Sequence, residues 1–210
     1  RMAEVFCRPG SPEAVYARIG FFRDTDTTSR PRVRTRSAVP GSDLSAIDLL
    51  RENAVCTMSN IVIRADAFRA SGGFETSLRY GEDVEWMVRL LATGARIAGL
   101  DELLVYYRTS DAGLSANLAA MHDGWATTLR TVRKTCPGIS ASDIAEAEAV
   151  HLRYLARRAV RINGPRRDAL MLVASALKKS PRGFFSDPRR GTLTFLAAVA
   201  DLAMPRALRR

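Results

Sequence analysis

Every segment of this chain with strand character lies before residue 115. Beyond it, the apolar residues recur only at helical spacing. A regular alternation of strand and helix along the whole length is therefore excluded. Any sheet must be built by the first half, and the second half must pack helix on helix. The pattern predicts an α/β part over 1–114 and an all-helical part over 115–210.

Within the first part, residues 12–22 read as a strand with Val15, Ala17 and Ile19 on one face. Residues 23–43 are polar, with prolines and a glycine, and read as a long loop. Ser42 or Asp43 is placed to cap a short helix carrying Leu44, Ile47, Leu49 and Leu50. A strand over 57–64 leads to a helix over 65–70, for which Gly72 or Gly73 is the stop. A second helix spans 82–93, with Val84, Met87, Val88, Leu90 and Leu91 on its apolar side and Gly94 at its end. Its first turn holds Glu82, Asp83 and Glu85, where acids suit the helix dipole. Residues 95–100 and 102–109 read as two short strands around a turn at Asp101. In the second part, helices are expected over 115–135, 140–162, 166–179 and from Asp187 or Gly191 to Ala203. They are separated by Pro137-Gly138, Gly164-Pro165, and Pro181 with Gly183.

Charge divides the same way. Residues 1–120 hold 15 Lys and Arg against 15 Asp and Glu; residues 121–210 hold 17 against 7, so the whole net charge of +10 lies in the later part. Such an excess favours anionic partners. Nucleic acid is not expected, because no RNP motif, zinc-ligand spacing or Gly-x-x-Gly loop is present and aromatics do not interleave the basic residues. The last predicted helix is apolar and then basic, a pattern suited to an anionic membrane surface, although a basic helical tail is most often a solvated face. No run of eighteen apolar residues occurs, and no apolar stretch follows Arg1 as a signal peptide would require. Cys7, Cys56 and Cys136 form no Cys-x-x-Cys and suit a reducing compartment.

Residues 59–117 carry an ordered set of features: strand, short helix, Gly72-Gly73-Phe74, a polar loop, Glu82-Asp83 at a helix start, Trp86, Arg89, Gly94, and two strands ending in Tyr107-Arg108. This order resembles the second half of family 2 glycosyltransferases, GT-A enzymes with a Rossmann-like mixed sheet. The resemblance implies transfer of a sugar from a nucleotide-sugar donor to an acceptor hydroxyl with inversion, in cell-envelope polysaccharide or glycolipid synthesis. It implies Asp83 as the catalytic base, with Glu82, Trp86 and Tyr80 at the acceptor site. Arg108, Ser110 and Asp111 would then lie near the donor diphosphate and a divalent cation, Mg or Mn. A cytoplasmic enzyme is expected, peripheral on the inner face of the membrane where its acceptor is lipid-linked.

The chain departs from the pattern in two places. The roughly three βαβ steps of the donor half, each about 30 residues long, do not precede the matching region. The chain is thus expected to be the C-terminal, acceptor-side part of a longer enzyme, inactive alone if truncated. The His that often follows Tyr-Arg in the family is replaced by Thr109-Ser110-Asp111. Asp24-Thr25-Asp26 spells the metal motif, but it follows the connecting strand and reads as an ordinary polar loop. Simpler readings stand beside these. Glu82 and Asp83 are also what a helix start requires, Trp86 suits a core or a pocket floor, and Arg89 pairs with Glu85 at i,i+4. A non-catalytic fragment, or a basic module on an anionic membrane, is the alternative function.

Overall fold

The computed structural model describes residues 1–23, 31–109, 117–162 and 164–203. Its contacts divide the chain into two units. A sheet unit comprises residues 1–49, 53–113 and 119–137, and a helical unit comprises 50–52, 114–118 and 138–210.

The sheet unit is organised around β1 (Ala14–Arg23). Ala14, Val15, Tyr16, Ala17 and Ile19 are all essentially inaccessible, so both faces of this strand are covered and not only the predicted one. The strand β4 (Ile97–Thr109) runs parallel along one edge of β1. The other edge is shared among several partners. The strand β3 (Ile61–Ile63) pairs antiparallel with residues 14–16, and β2 (Thr35–Arg36) pairs with Gly20 and Phe21. Between them, side chains stand in for a strand. Buried Asn60 accepts from the Ala17 amide at 3.2 Å and donates to the Ala17 carbonyl at 2.7 Å. Ser37 then takes the amide of Ile19 on its hydroxyl at 2.9 Å and gives its own amide to the Ile19 carbonyl. The backbone amide and carbonyl of both Ala17 and Ile19 are thereby paired, as burial demands.

Two expectations are corrected here. Residues 97–109 form one strand, because the register slips between Ala17 and Ile19 and Asp101, Glu102 and Leu104 bulge out of it. The Arg18 guanidinium holds the bulge by binding the Asp101 carboxylate. The strand predicted over 57–64 begins instead with a 3-10 turn, Met58–Asn60, capped by the Thr57 side chain.

The short helix α1 (Met2–Val5) precedes β1, and α2 (Ala46–Arg51) follows β2. The cap of α2 is Ser45, paired reciprocally with Asp48, and not the predicted Ser42 or Asp43. After β3 come α3 (Ala65–Ala70) and α4 (Glu82–Ala92). Gly72 and Gly73 both have positive φ, +80° and +67°, and close α3 in a Schellman turn through the Phe68 and Arg69 carbonyls.

By its contacts the helix α5 (Leu118–Thr135) belongs largely to the sheet unit, whereas the sequence pattern grouped it with the later helices. It buries Trp125, Leu129 and Val132, and its Thr131 hydroxyl binds Glu85 of α4 at 2.9 Å. The helical unit contains α6 (Ala141–Arg161), α7 (Arg166–Lys179), the single turn α8 (Pro181–Phe184) and α9 (Pro188–Ala203). No described helix is long and apolar enough to cross a membrane. The molecule is thus mixed α/β, with a four-stranded mixed sheet among the described residues.

Candidate active site

The head of α4 is fixed from three sides. Gly81 sits at φ +74°, where a side chain is strained, and its carbonyl takes the Glu85 amide to start the helix. The Tyr80-Gly81 backbone lies directly on Gly124 of α5. A Cβ at residue 124 would collide with the Tyr80 carbonyl, so Gly124 is a contact requirement and not a flexible joint. Beneath the helix, Trp86 is fully buried against the rings of Phe68 and Phe74, with centroids 5.4 and 5.3 Å away, and its indole N–H donates to the Ser71 hydroxyl at 2.9 Å. The ring is held inward, as the reading of Trp86 as a core residue requires.

Glu85 and Arg89 tie the same helix to its surroundings. Glu85 is 4 % exposed and receives Arg89 in a two-pronged pair at 2.8 to 3.0 Å. The Arg89 guanidinium also donates to the carbonyls of Ser71 and Gly73. One arginine thus stitches α4 to the glycine turn, while Thr131 completes the carboxylate. The i,i+4 spacing foretold the pair but not its role as a clamp. A shallow pocket of about 320 Å³ lies over this clamp, lined by Phe74, Glu85, Arg89, Thr131 and Lys134; Asp83 does not line it.

Asp83 differs from Glu85 in burial and in partners. It is half-buried and makes no ion pair among the described residues. One carboxylate oxygen accepts from the Val84 amide at 2.8 Å; the other has only the Asn53 amide group, at 3.4 Å. Burial pushes its pKa above the ordinary aspartate value. The Glu82 charge adds to the rise, and the Val84 hydrogen bond opposes it. A carboxylate with raised proton affinity and one weakly held oxygen is suited to accept a proton. Asn53, which follows α2, was missed in the sequence because nothing local links it to Asp83.

Tyr80, Glu82 and Asp83 therefore share one loop–helix junction, with Tyr80 and Glu82 half-exposed. Arg108 is exposed near the end of β4, in register with Phe22, and so lies on a separate element. Ser110, Asp111 and Asp24-Thr25-Asp26 lie outside the described residues. Among the described residues no three His, Cys, Asp or Glu side chains converge on a point that could hold a metal ion. Set against models of protein families, curated proteins and solved structures, the chain matches none.

Proposed function

We propose that this chain is the acceptor-side part of an inverting glycosyltransferase, with Asp83 as the general base. The observation that carries the reading is the environment of Asp83: a carboxylate at a helix head, raised in proton affinity by burial, with one oxygen held only by the Asn53 amide group among the described residues. In the reaction, the acceptor hydroxyl would give its proton to Asp83 as its oxygen attacks the sugar C1. The bond from C1 to the donor phosphate breaks, and the nucleoside diphosphate leaves with that electron pair. Glu82 would help hold the acid proton-avid, and Tyr80 would frame the acceptor. Arg108 would stand near the donor diphosphate as the positive group facing the leaving phosphate. The ordered motifs over 59–117 supply the reaction class. A nucleotide-sugar donor and a sugar or lipid-linked acceptor are the partners that follow from it.

The test uses the full reading frame that contains this chain, assayed for nucleoside diphosphate release with a panel of nucleotide-sugars and hydroxyl acceptors. D83N is expected to lower turnover by about 10²- to 10⁴-fold and to leave donor affinity unchanged. The same variant is expected to be more stable than the parent at pH 7. A carboxyl whose folded pKa lies above its unfolded value near 3.8 stabilises only below that value, and the contribution is lost as pH rises through the folded pKa. The advantage of D83N in thermal melts should therefore shrink toward zero as pH falls below about 3.8. Undiminished turnover in D83N would remove Asp83 from the reaction.

A further inference from the structure

We propose that α9 docks the protein on an anionic membrane surface, lying in the plane of the lipid headgroups. The inference does not depend on the sugar-transfer reading. Its basis is the division of the helix into two faces. Gly191, Thr194, Ala198 and Asp201, at helical spacing, are buried against the rest of the helical unit. The opposite half of the circumference is open and apolar. Leu193 is 57 % exposed, Leu196 55 %, Val199 43 %, Leu202 41 % and Phe195 38 %. At about 100° per residue these five fall within roughly half a turn of one another, so they form one continuous strip. Isolated surface leucines need no explanation, but a strip of this kind does.

The interior of the same unit sharpens the point. Leu152, Leu155 and Phe184 are buried there, but alanines, among them Ala147, Ala149, Ala156, Ala159, Ala169 and Ala176, fill most of the remaining buried apolar positions. Large apolar side chains are available in this part of the chain, and α9 holds them outward. That arrangement costs solubility in water and is favourable only where an apolar medium meets the strip.

Charge selects the occupant. Residues 138–210 hold 14 Lys and Arg against 6 Asp and Glu. The acids are mostly engaged or hidden: Asp143 and Glu146 bind Arg51, Glu148 binds Lys179, Asp187 binds Arg190, and Asp201 is buried. The only carboxylate in α9 is that buried Asp201. Arg189 falls on the open side of the helix, and the sequence beyond α9 adds Arg206, Arg209 and Arg210. A second copy meeting this face would bring together two units of net positive charge, whereas a membrane with anionic lipids would neutralise that charge. The helix has 16 residues, about 24 Å at 1.5 Å per residue, and its inner half is committed to packing, so it lies on the bilayer and does not cross it.

The test is co-sedimentation of the full chain with phosphatidylcholine vesicles, with and without phosphatidylglycerol, at low and high salt. Binding should require the anionic lipid and weaken with salt. L193Q together with L196Q should weaken it roughly tenfold or more, because two exposed apolar anchors are lost without touching the core. F195W gives an independent readout: its fluorescence should shift to the blue and become shielded from acrylamide on anionic vesicles, against a constant background from buried Trp86 and Trp125. Equal binding to neutral vesicles, or no shift in F195W, overturns the proposal. So does self-association in sedimentation velocity that the double variant abolishes while vesicles bind nothing; that result would give the face to a second copy.

Discussion

Trp86 and Ala156 are equally inaccessible to solvent, yet they belong to cores of opposite make. Around Trp86 the sheet unit encloses large side chains, among them Tyr16, Ile19, Met87, Leu90 and Ile97. It also satisfies its buried polar groups individually, as Glu85, Asn60 and Ser37 show. Around Ala156 the helical unit encloses alanines above all, beside Leu152, Leu155 and Phe184, and displays the large residues of α9. Burying a leucine-sized side chain contributes roughly 1.5–3 kcal/mol, whereas the methyl of an alanine contributes nearer 0.8 kcal/mol. The sheet unit is therefore held by volume enclosed. The helical unit is held by close helix approach, for which small residues are the means. Gly183 shows how close: a Cβ there would fall 2.5 Å from the Glu146 carbonyl of α6.

The two cores should fail under opposite substitutions. W86A is expected to have the largest effect, a loss of about 3–5 kcal/mol, because the cavity lies under two aromatic rings and the Ser71 hydroxyl loses its donor. A156L should cost about 1–3 kcal/mol by forcing neighbouring helices apart. Urea unfolding gives the magnitudes. Hydrogen exchange on peptides from each unit shows where the loss falls: 119–137 should exchange faster in W86A, and 141–179 in A156L. A neutral A156L would mean that the alanine core is not tightly closed, and the contrast between the units would fall. If 119–137 instead followed the helical unit, α5 would have been placed with the wrong core.

That placement also shows what the sequence could and could not reveal. Local signals carried far: α3 and α7 lie where the pattern put them, and the glycine stop after α3 is a Schellman turn formed by both glycines. The acid pair at the head of α4 was legible for the same reason, since helix starts are written in neighbouring residues. What escaped depends on residues far apart in the chain. Asn60 and Ser37 completing the edge of β1, the bulge that merges two expected strands into β4, and Gly124 receiving the Tyr80 carbonyl have no local signature. Trp86 was ambiguous in sequence because a tryptophan suits a core or a ligand platform equally; the rings of Phe68 and Phe74 decide the matter. The proposed base rests on both kinds of signal. Its position was local, but the environment that raises its proton affinity was not.

Even in the sheet unit a polar group stands out of place, and it gives the smallest of the expected effects. The Tyr16 hydroxyl is buried with no hydrogen-bond partner among the described residues. Burial first, then the charges of Cys56 and Asp48, push its pKa from 10.0 up to about 12. Leaving such a group unpaired costs roughly 1–3 kcal/mol, so Y16F should gain about 1 kcal/mol after allowing for the methylene-sized space left behind. The pH dependence separates this cause from a change in packing. Because the folded pKa is the higher one, the parent's tyrosine contribution is intact below pH 10.0 and is lost as pH rises toward about 12. Phenylalanine has no proton to lose, so the advantage of Y16F should widen over that interval in urea titrations. A Y16F protein that is less stable at every pH would show that the hydroxyl is bonded after all, as the side chains of Glu85, Asn60 and Ser37 are.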